Sequence, residues 1–157
     1  MNSEEIMRQL PHALGQEKSV LSTMLKNPER ADDVAFLTEK HFYLPGHAIL
    51  FRVISDLRAK QHPIELVSLS QFLHDEGHLE NIGGMSALSD IYTYAPSGAH
   101  MVMHAELLCE KFALRQAIES GTRMAEAGYD SDVEAMLEAT GSPISEIHDI
   151  LSANKPP

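Results

Sequence analysis

The chain has 157 residues, of which 43% are hydrophobic and 22% charged, so it can bury one hydrophobic core and is too apolar to stay disordered. Its net charge of −11, from 23 acids against 12 Lys and Arg, argues against strong direct binding of nucleic acid, because cations drive contacts with phosphate. Apolar runs stay far below the roughly 20 residues that cross a bilayer, so no membrane partner is expected. The single cysteine, Cys109, and an acidic N-terminus without a secretory signal predict a cytoplasmic protein.

The first half of the chain shows apolar residues at helical spacing, and no segment has the alternation typical of a β-strand. Pro45 suits the first turn of a helix, and Gly77 suits the end of one. A further helical segment opens at Gly83-Gly84 and ends at Ala95-Pro96. Short helices joined by short loops indicate an all-α fold that begins with a small helical bundle. The other helices are predicted over residues 16–26, 31–38, 45–60 and 67–76.

The second half reads as one long helix over residues 99–127, a turn, and a return helix capped by Asp130, Ser131 or Asp132. Apolar residues recur at heptad spacing on both arms, which predicts a long antiparallel helical hairpin. The return seam comprises Val133, Leu137, Thr140, Ile144, Ile147 and Leu151, and the matching outgoing seam comprises Leu107, Leu114, Ile118, Gly121 and Ala125.

The return arm is interrupted by Gly141-Ser142-Pro143, and a proline in a helix interior costs about 3 kcal/mol. A kink or a brief break is therefore expected there, with Ser142 as the cap of the second half. The chain then divides into a helical globule at 1–96, the hairpin at 97–152 and the start of an interdomain linker at 153–157.

The hairpin is the predicted site of self-association, because one partner helix cannot cover all of its apolar side chains. It is also acidic, with eight acids and one cation, Arg123, between Glu119 and Asp149. That acidic face is either solvated or meets a basic partner. The predicted interface residues are Leu114, Ile118, Gly121, Met124, Val133, Met136, Leu137, Ile144, Ile147 and Leu151.

Catalytic motifs are not found in the sequence. It contains no phosphate-binding loop of the form GxxxxGK[ST] and no GxSxG elbow, and Cys109 reads as mid-helix beside an acid. The pairs His74/His78 and His100/His104 have chelating spacing but no third ligand, so polar helix faces are favoured over a metal site. We therefore expect no catalytic residue, no cofactor and no metal in this chain.

Several segments lie in a definite order and spacing along the chain. These are Gln16-Glu17-Lys18-Ser19-Val20-Leu21 with Met24-Leu25, Phe42-Tyr43 with His47 and Ile49-Leu50-Phe51, Pro63-Ile64-Glu65-Leu66-Val67-Ser68-Leu69, Gly77-His78-Leu79, Gly83-Gly84 before Leu88, and Pro96-Ser97-Gly98-Ala99 with Glu110, Ala113, Leu114, Arg115 and Ile118. Taken together, they resemble the N-terminal domain of the DnaB family of replicative DNA helicases. The resemblance covers the chain from Pro11 to about Leu151, and it depends on the order and spacing of the segments together.

The resemblance implies a non-catalytic collar that pairs through its hairpin into a trimer of dimers on a hexameric ring and docks a primase and a helicase loader. It implies that ATP and Mg²⁺ belong to a RecA-like domain further along the parent chain. Departures from the family pattern are Gln61 for glycine, Glu65 for aspartate, and the Gly141-Ser142-Pro143 interruption. The alternative is a stand-alone phage or plasmid protein of the same fold that regulates, loads or decoys a helicase or primase. A reading frame continuing past Pro157 into a GxxxxGK[ST] motif would favour the helicase.

Overall fold

The computed structural model describes residues 9–153, apart from the side chain of Ser142, and within that range the regular elements are all helical. This confirms the predicted all-α class. The predicted start of a linker at residues 153–157 lies outside the described residues, apart from Ala153. The α-helices are α1 Leu14–Lys26, α2 Pro45–Ala59, α3 Leu66–Asp75, α4 Leu79–Ile82, α5 Gly84–Tyr94, α6 Met101–Tyr129 and α7 Val133–Ser152, with 3-10 helices at Pro28–Val34 and Glu39–His41.

Two units make up the chain, one formed by Ala13–Cys109 and the other by Met1–His12 with Glu110–Pro157. Helix α6 contributes to both of them. The boundary between the two units falls within α6, between Cys109 and Glu110. The domain boundaries at residues 96 and 152 that the sequence suggested remain a prediction. None of the described helices combines the length and the apolar character needed to cross a membrane.

The core of the Ala13–Cys109 unit forms where α1 packs against α2, α5 and the first 3-10 helix, and where α2 packs against α4. Apolar residues three and four apart give α1 and α2 one buried face each, which removes those side chains from water. The largest buried side chains of this core are Leu21, Met24, Leu50, Ile54, Leu69, Leu73, Leu88, Met101 and Leu108.

A close approach of two backbones fixes the start of α2. Pro45 occupies the first turn, as predicted. A Cβ atom added to Gly46 would lie 2.9 Å from the carbonyl oxygen of Asn81 and 3.2 Å from the Cα atom of Ile82. Only glycine leaves room for this contact between α2 and α4, because backbone atoms cannot move aside as a side chain can.

Helix α2 ends in a Schellman motif whose left-handed residue is not glycine. Gln61 has φ of +58°, and its N–H donates to the carbonyl of Arg58 while the N–H of His62 donates to the carbonyl of Leu57. The same pair of bonds ends α3, where the left-handed residue is Gly77. A side chain in this conformation costs roughly 1–2 kcal/mol.

Replacing Gln61 with glycine is therefore expected to raise the free energy of unfolding by about 0.5–1 kcal/mol, after the added flexibility of the unfolded chain is subtracted. Urea denaturation measures the free energy of unfolding of the variant and of the wild type. The matched control is Gln71→Gly in the right-handed interior of α3, which should lower the same free energy by about 0.5–1 kcal/mol. A loss of stability in both variants would contradict the role assigned to Gln61.

In the Ala13–Cys109 unit, called the globular unit from here on, two elements differ from the sequence prediction. The helix predicted over 31–38 is instead a 3-10 helix at Pro28–Val34, which Pro28 begins because its fixed φ and missing N–H suit a first turn. Helix α4 was not predicted, since its four residues, Leu79–Ile82, are too few to show a helical period.

The hairpin turn depends on two neighbouring residues, Ser131 and Asp132. Ser131, with φ of +57°, ends α6 in a second non-glycine Schellman motif, in which Asp132 N–H donates to the carbonyl of Ala127. Asp132 is also the N-cap of α7, because its Oδ1 accepts from the N–H of Ala135 at 3.0 Å. The sequence prediction of a cap at residues 130–132 is confirmed.

Helix α7 is continuous from Val133 to Ser152 and runs through Pro143. The sequence predicted a kink or a brief break with a new cap at Ser142. The break is wrong, because the helix is continuous, and the kink stays a prediction. Pro143 is buried. Burial of the apolar ring offsets part of the cost of the missing backbone bond, which the sequence-based argument counted alone.

Candidate self-association surface on the hairpin

The unit that contains Glu110–Pro157 is called the hairpin unit here. Its buried side chains on α6 and α7 are small. Ala113, Ser120 and Ala127 lie seven residues apart on α6 and are each at most 7% exposed. On α7, Ala139 is 7% exposed, and near the turn it lines the same cleft as Ala127. Alanine and serine at heptad spacing let helices pack closely, because no long side chain separates the backbones.

The two heptad seams predicted to face each other do not supply this buried surface. Leu114 and Ile118 on α6 are 50% and 45% exposed, and Leu137 and Ile144 on α7 are 60% and 71% exposed. Periodicity places apolar residues on one stripe of each helix, but it does not decide which stripe the partner arm covers. Here the small side chains are covered and the large ones are left in water.

The structure shows where each residue of the predicted interface lies. Seven large apolar members of the set are exposed. Gly121 is also exposed, and Met136 and Ile147 are partly buried. The exposed large members are Leu114, Ile118, Met124, Val133, Leu137, Ile144 and Leu151.

These exposed residues form one stripe on each arm, which we call the hairpin stripes. On α6 the spacing from Leu114 to Ile118 to Gly121 is four and three, and on α7 Leu137, Ile144 and Leu151 follow at seven. Both spacings keep side chains on one helix face. Single exposed apolar residues are common on proteins, but two such stripes on adjoining helices are a surface of the kind that proteins bury on association.

An acidic cleft of about 330 Å³ lies at the turn end of the hairpin. Its charged lining residues are Arg123, Glu126, Asp130, Asp132 and Glu138. Its carboxylates do not form a metal centre, since no group of three or more His, Cys, Asp or Glu among the described residues is arranged to hold an ion. The cleft adds negative charge at the turn end of the hairpin.

A buried carboxylate holds the globular unit together, and the sequence reasoning did not assign it a role. Glu17 on α1 is fully buried and accepts from the N–H of Tyr43 at 2.7 Å and of Leu44 at 3.4 Å. Its other bond is with Nδ1 of the buried His47, at 2.8 Å. The burial of Glu17 could have been predicted from the sequence. Glu17 lies three, four and seven residues before Val20, Leu21 and Met24, which places it on the apolar face of α1.

Two histidine pairs have the sequence spacing of metal ligands. His74 and His78 are separated by the end of α3 at Gly77, as the sequence predicted. His100 and His104 lie side by side with ring centroids 6.3 Å apart. Neither pair belongs to a group of three metal-binding side chains in the described part of the chain.

The sequence and the fold of this chain are similar to those of known proteins. A family profile described as the DnaB-like helicase N-terminal domain matches residues 9–110. The chain belongs to this family. Two of the segments on which the sequence resemblance relied meet at the buried carboxylate of Glu17, which bonds with the N–H of Tyr43 and with the buried His47.

Curated relatives agree with the family assignment. The chain is 33% identical over 150 residues to the replicative DNA helicase DnaB of Mycobacterium leprae (strain TN), covering 94% of this chain and 25% of the relative. It is 29% identical over 154 residues to the DnaB helicase of Buchnera aphidicola subsp. Baizongia pistaciae (strain Bp), covering 98% of this chain and 33% of that protein. The chain thus spans a third or less of the length of these relatives.

Solved structures share the DnaB N-terminal fold. The crystal structure of the N-terminal domain of DnaB helicase from Mycobacterium tuberculosis superposes with a TM-score of 0.75 at 31% identity, covering 93% of this chain and 97% of that one. A DnaB-like replicative helicase, whose structure was described with its interactions with primase, superposes with a TM-score of 0.69 at 24% identity. It matches 86% of this chain and 31% of its own, and at that identity it shows the fold alone.

Proposed function

We propose that this DnaB N-terminal domain is a non-catalytic assembly module that pairs with further copies of itself through the hairpin stripes. The observation that carries the proposal is the exposure of Leu114, Ile118, Leu137 and Ile144 on adjoining helices. A second copy with the same stripes can cover them, because a two-fold interface pairs the same surface on both subunits. Burial of each such side chain contributes roughly 1.5–3 kcal/mol, and each contributes twice in a symmetric dimer.

We further propose that the domain serves as the collar of a hexameric, cytoplasmic replicative helicase in which the pairs form a trimer of dimers. The family assignment and the relatives named as replicative helicases support this role. In this proposal ATP, Mg²⁺ and translocation belong to another domain of the parent protein, and this chain holds no cofactor. Docking of a primase and a helicase loader is proposed from the family resemblance.

Sedimentation velocity across concentrations from about 1 to 100 μM tests the self-association. We expect the weight-average mass to rise from the monomer value of 17.4 kDa toward a dimer or a larger species, because pairing removes the exposed apolar side chains of both copies from water. A constant monomer mass up to the highest concentration would refute pairing through the hairpin stripes.

A further inference from the structure

An apolar groove lies in the Ala13–Cys109 unit, between the end of α2 and the start of α3. Its volume is about 300 Å³. Phe72, which is 37% exposed, contributes its ring to the wall, while the neighbouring Leu57 and Leu69 are buried in the core beneath. The lining is completed by Lys60, His62, Pro63 and Ser68.

The groove owes its shape to the two features that connect α2 with α3. The left-handed Gln61 turns the backbone sharply, so that Lys60 and His62 come to line the groove on either side of it. Pro63 follows, where its fixed φ prevents the chain from re-entering a helix at once. The groove is therefore formed by a bonded turn with a defined geometry.

Charge distinguishes this groove from the rest of the protein. The chain carries about two acids for each Lys or Arg, yet the lining contains a lysine and a histidine and no Asp or Glu. Lys60 is exposed, and none of the ion pairs found among the described residues involves it. The ammonium group is thus available at the rim of an apolar surface.

The start of α3 adds hydrogen-bond donors at the same place. The N-cap residue Glu65 makes no side-chain cap bond, so the first N–H groups of the helix, from Leu66 to Ser68, lack a capping side chain. Ser68 itself lines the groove. A helix N-terminus favours negative charge, and it acts here in the same direction as Lys60.

We propose that this groove docks an acidic segment of a partner protein, which places a large aliphatic or aromatic side chain against Phe72 and a carboxylate beside Lys60. Charge complementarity selects the occupant. The chain as a whole, with its net charge of −11, attracts basic segments, but a basic segment would meet Lys60 at this groove, whereas the carboxylate of an acidic segment would be attracted by Lys60. A small apolar groove with one matched charge is a common mode of peptide recognition.

The proposal is independent of the hairpin stripes, which belong to the other unit. The probe is a short fluorescent peptide of Leu, Phe, Glu and Asp, paired with the same peptide in which lysine replaces every acid. Fluorescence anisotropy gives the affinity, and amide chemical shifts of the isotope-labelled domain locate the contact. We expect the acidic peptide to bind, the lysine peptide not to bind at the groove, and the shifts to cluster between Leu57 and Phe72.

Charge and apolar contact are separated by surface variants. Lys60→Glu should weaken binding of the acidic peptide about tenfold or more, and Phe72→Ala by a similar factor. Lys40→Glu, a reversal at an exposed lysine away from the groove, should leave the affinity unchanged. Circular dichroism confirms that each variant is folded.

Four outcomes would overturn the proposal. These are binding of neither peptide up to millimolar concentration, equal binding of the lysine peptide at the groove, shifts that fall outside residues 57–72, and groove shifts that depend on domain concentration without peptide. The last would mean that a second copy occupies the groove. The shift map uses the wild-type domain, so the test stands even if a variant fails to fold.

Discussion

Replacing Leu137 with aspartate is expected to hold the domain in the monomeric state at concentrations where the wild type associates. Leu137 is 60% exposed on α7, so its replacement removes little from the core of the monomer. In a two-fold interface the leucine is lost from both copies, at a cost of about 3 kcal/mol or more. The new carboxylate also lies on an arm that is already acidic, where like charges repel. Together these effects should weaken dimerisation at least about 100-fold.

The matched control for this change is Val67→Asp, which is the same kind of substitution at a residue 69% exposed on α3 in the other unit. Sedimentation velocity at equal concentrations compares the two variants, and circular dichroism checks that both remain helical. We expect the Val67 variant to associate like the wild type. If the Leu137→Asp variant also associates like the wild type, the hairpin stripes do not form the interface, even if the protein is oligomeric.

The second large effect is expected from Glu17→Ala, which should lower the free energy of unfolding by about 3–5 kcal/mol. The substitution leaves the N–H of Tyr43 and the buried imidazole of His47 without their acceptor, and water cannot replace it in a fully buried site. In a domain of this size the loss corresponds to a fall of about 10 °C in the melting temperature.

Urea denaturation of Glu17→Ala is compared with Glu29→Ala, in which an exposed glutamate is removed and a change of about 0.5 kcal/mol or less is expected. Glu17→Gln should lose less than Glu17→Ala, since the amide keeps one oxygen for Tyr43 while losing the charge. Equal stability of the two alanine variants would show that the carboxylate does not hold α1 to the start of α2.

Much of the local structure could be predicted from residue patterns. Pro45 and Gly77 marked a helix start and a helix end because their backbone preferences act locally, and the 3.6-residue period of the long helices was clear. The short helix at Leu79–Ile82 was not predicted, because four residues are too few to show a helical period. The 3-10 helix at Pro28–Val34 replaced a predicted α-helix because its boundary depends on Pro28.

The sequence identified the apolar residues of the candidate surface. It placed Leu137 and Ile144 on a repeating seam of the hairpin and predicted that this seam also mediates self-association, but it did not show which side chains the hairpin itself covers. Packing instead brought the small side chains of Ala113 and Ser120 into the buried face and left the large ones outside. A period states which residues share a face of a helix, and only the neighbouring helix decides which face is covered.

By itself, then, the sequence determined the all-α class, the positions of the long helices, a capped turn within residues 130–132, and the likeness to the DnaB N-terminal family. The tertiary structure decided that Glu17 is buried against His47, that α7 passes through Pro143, and that the hairpin stripes face solvent. The physical reason is common to all three. Helix formation depends on residues a few positions apart, whereas burial depends on side chains that the fold brings together from distant parts of the chain.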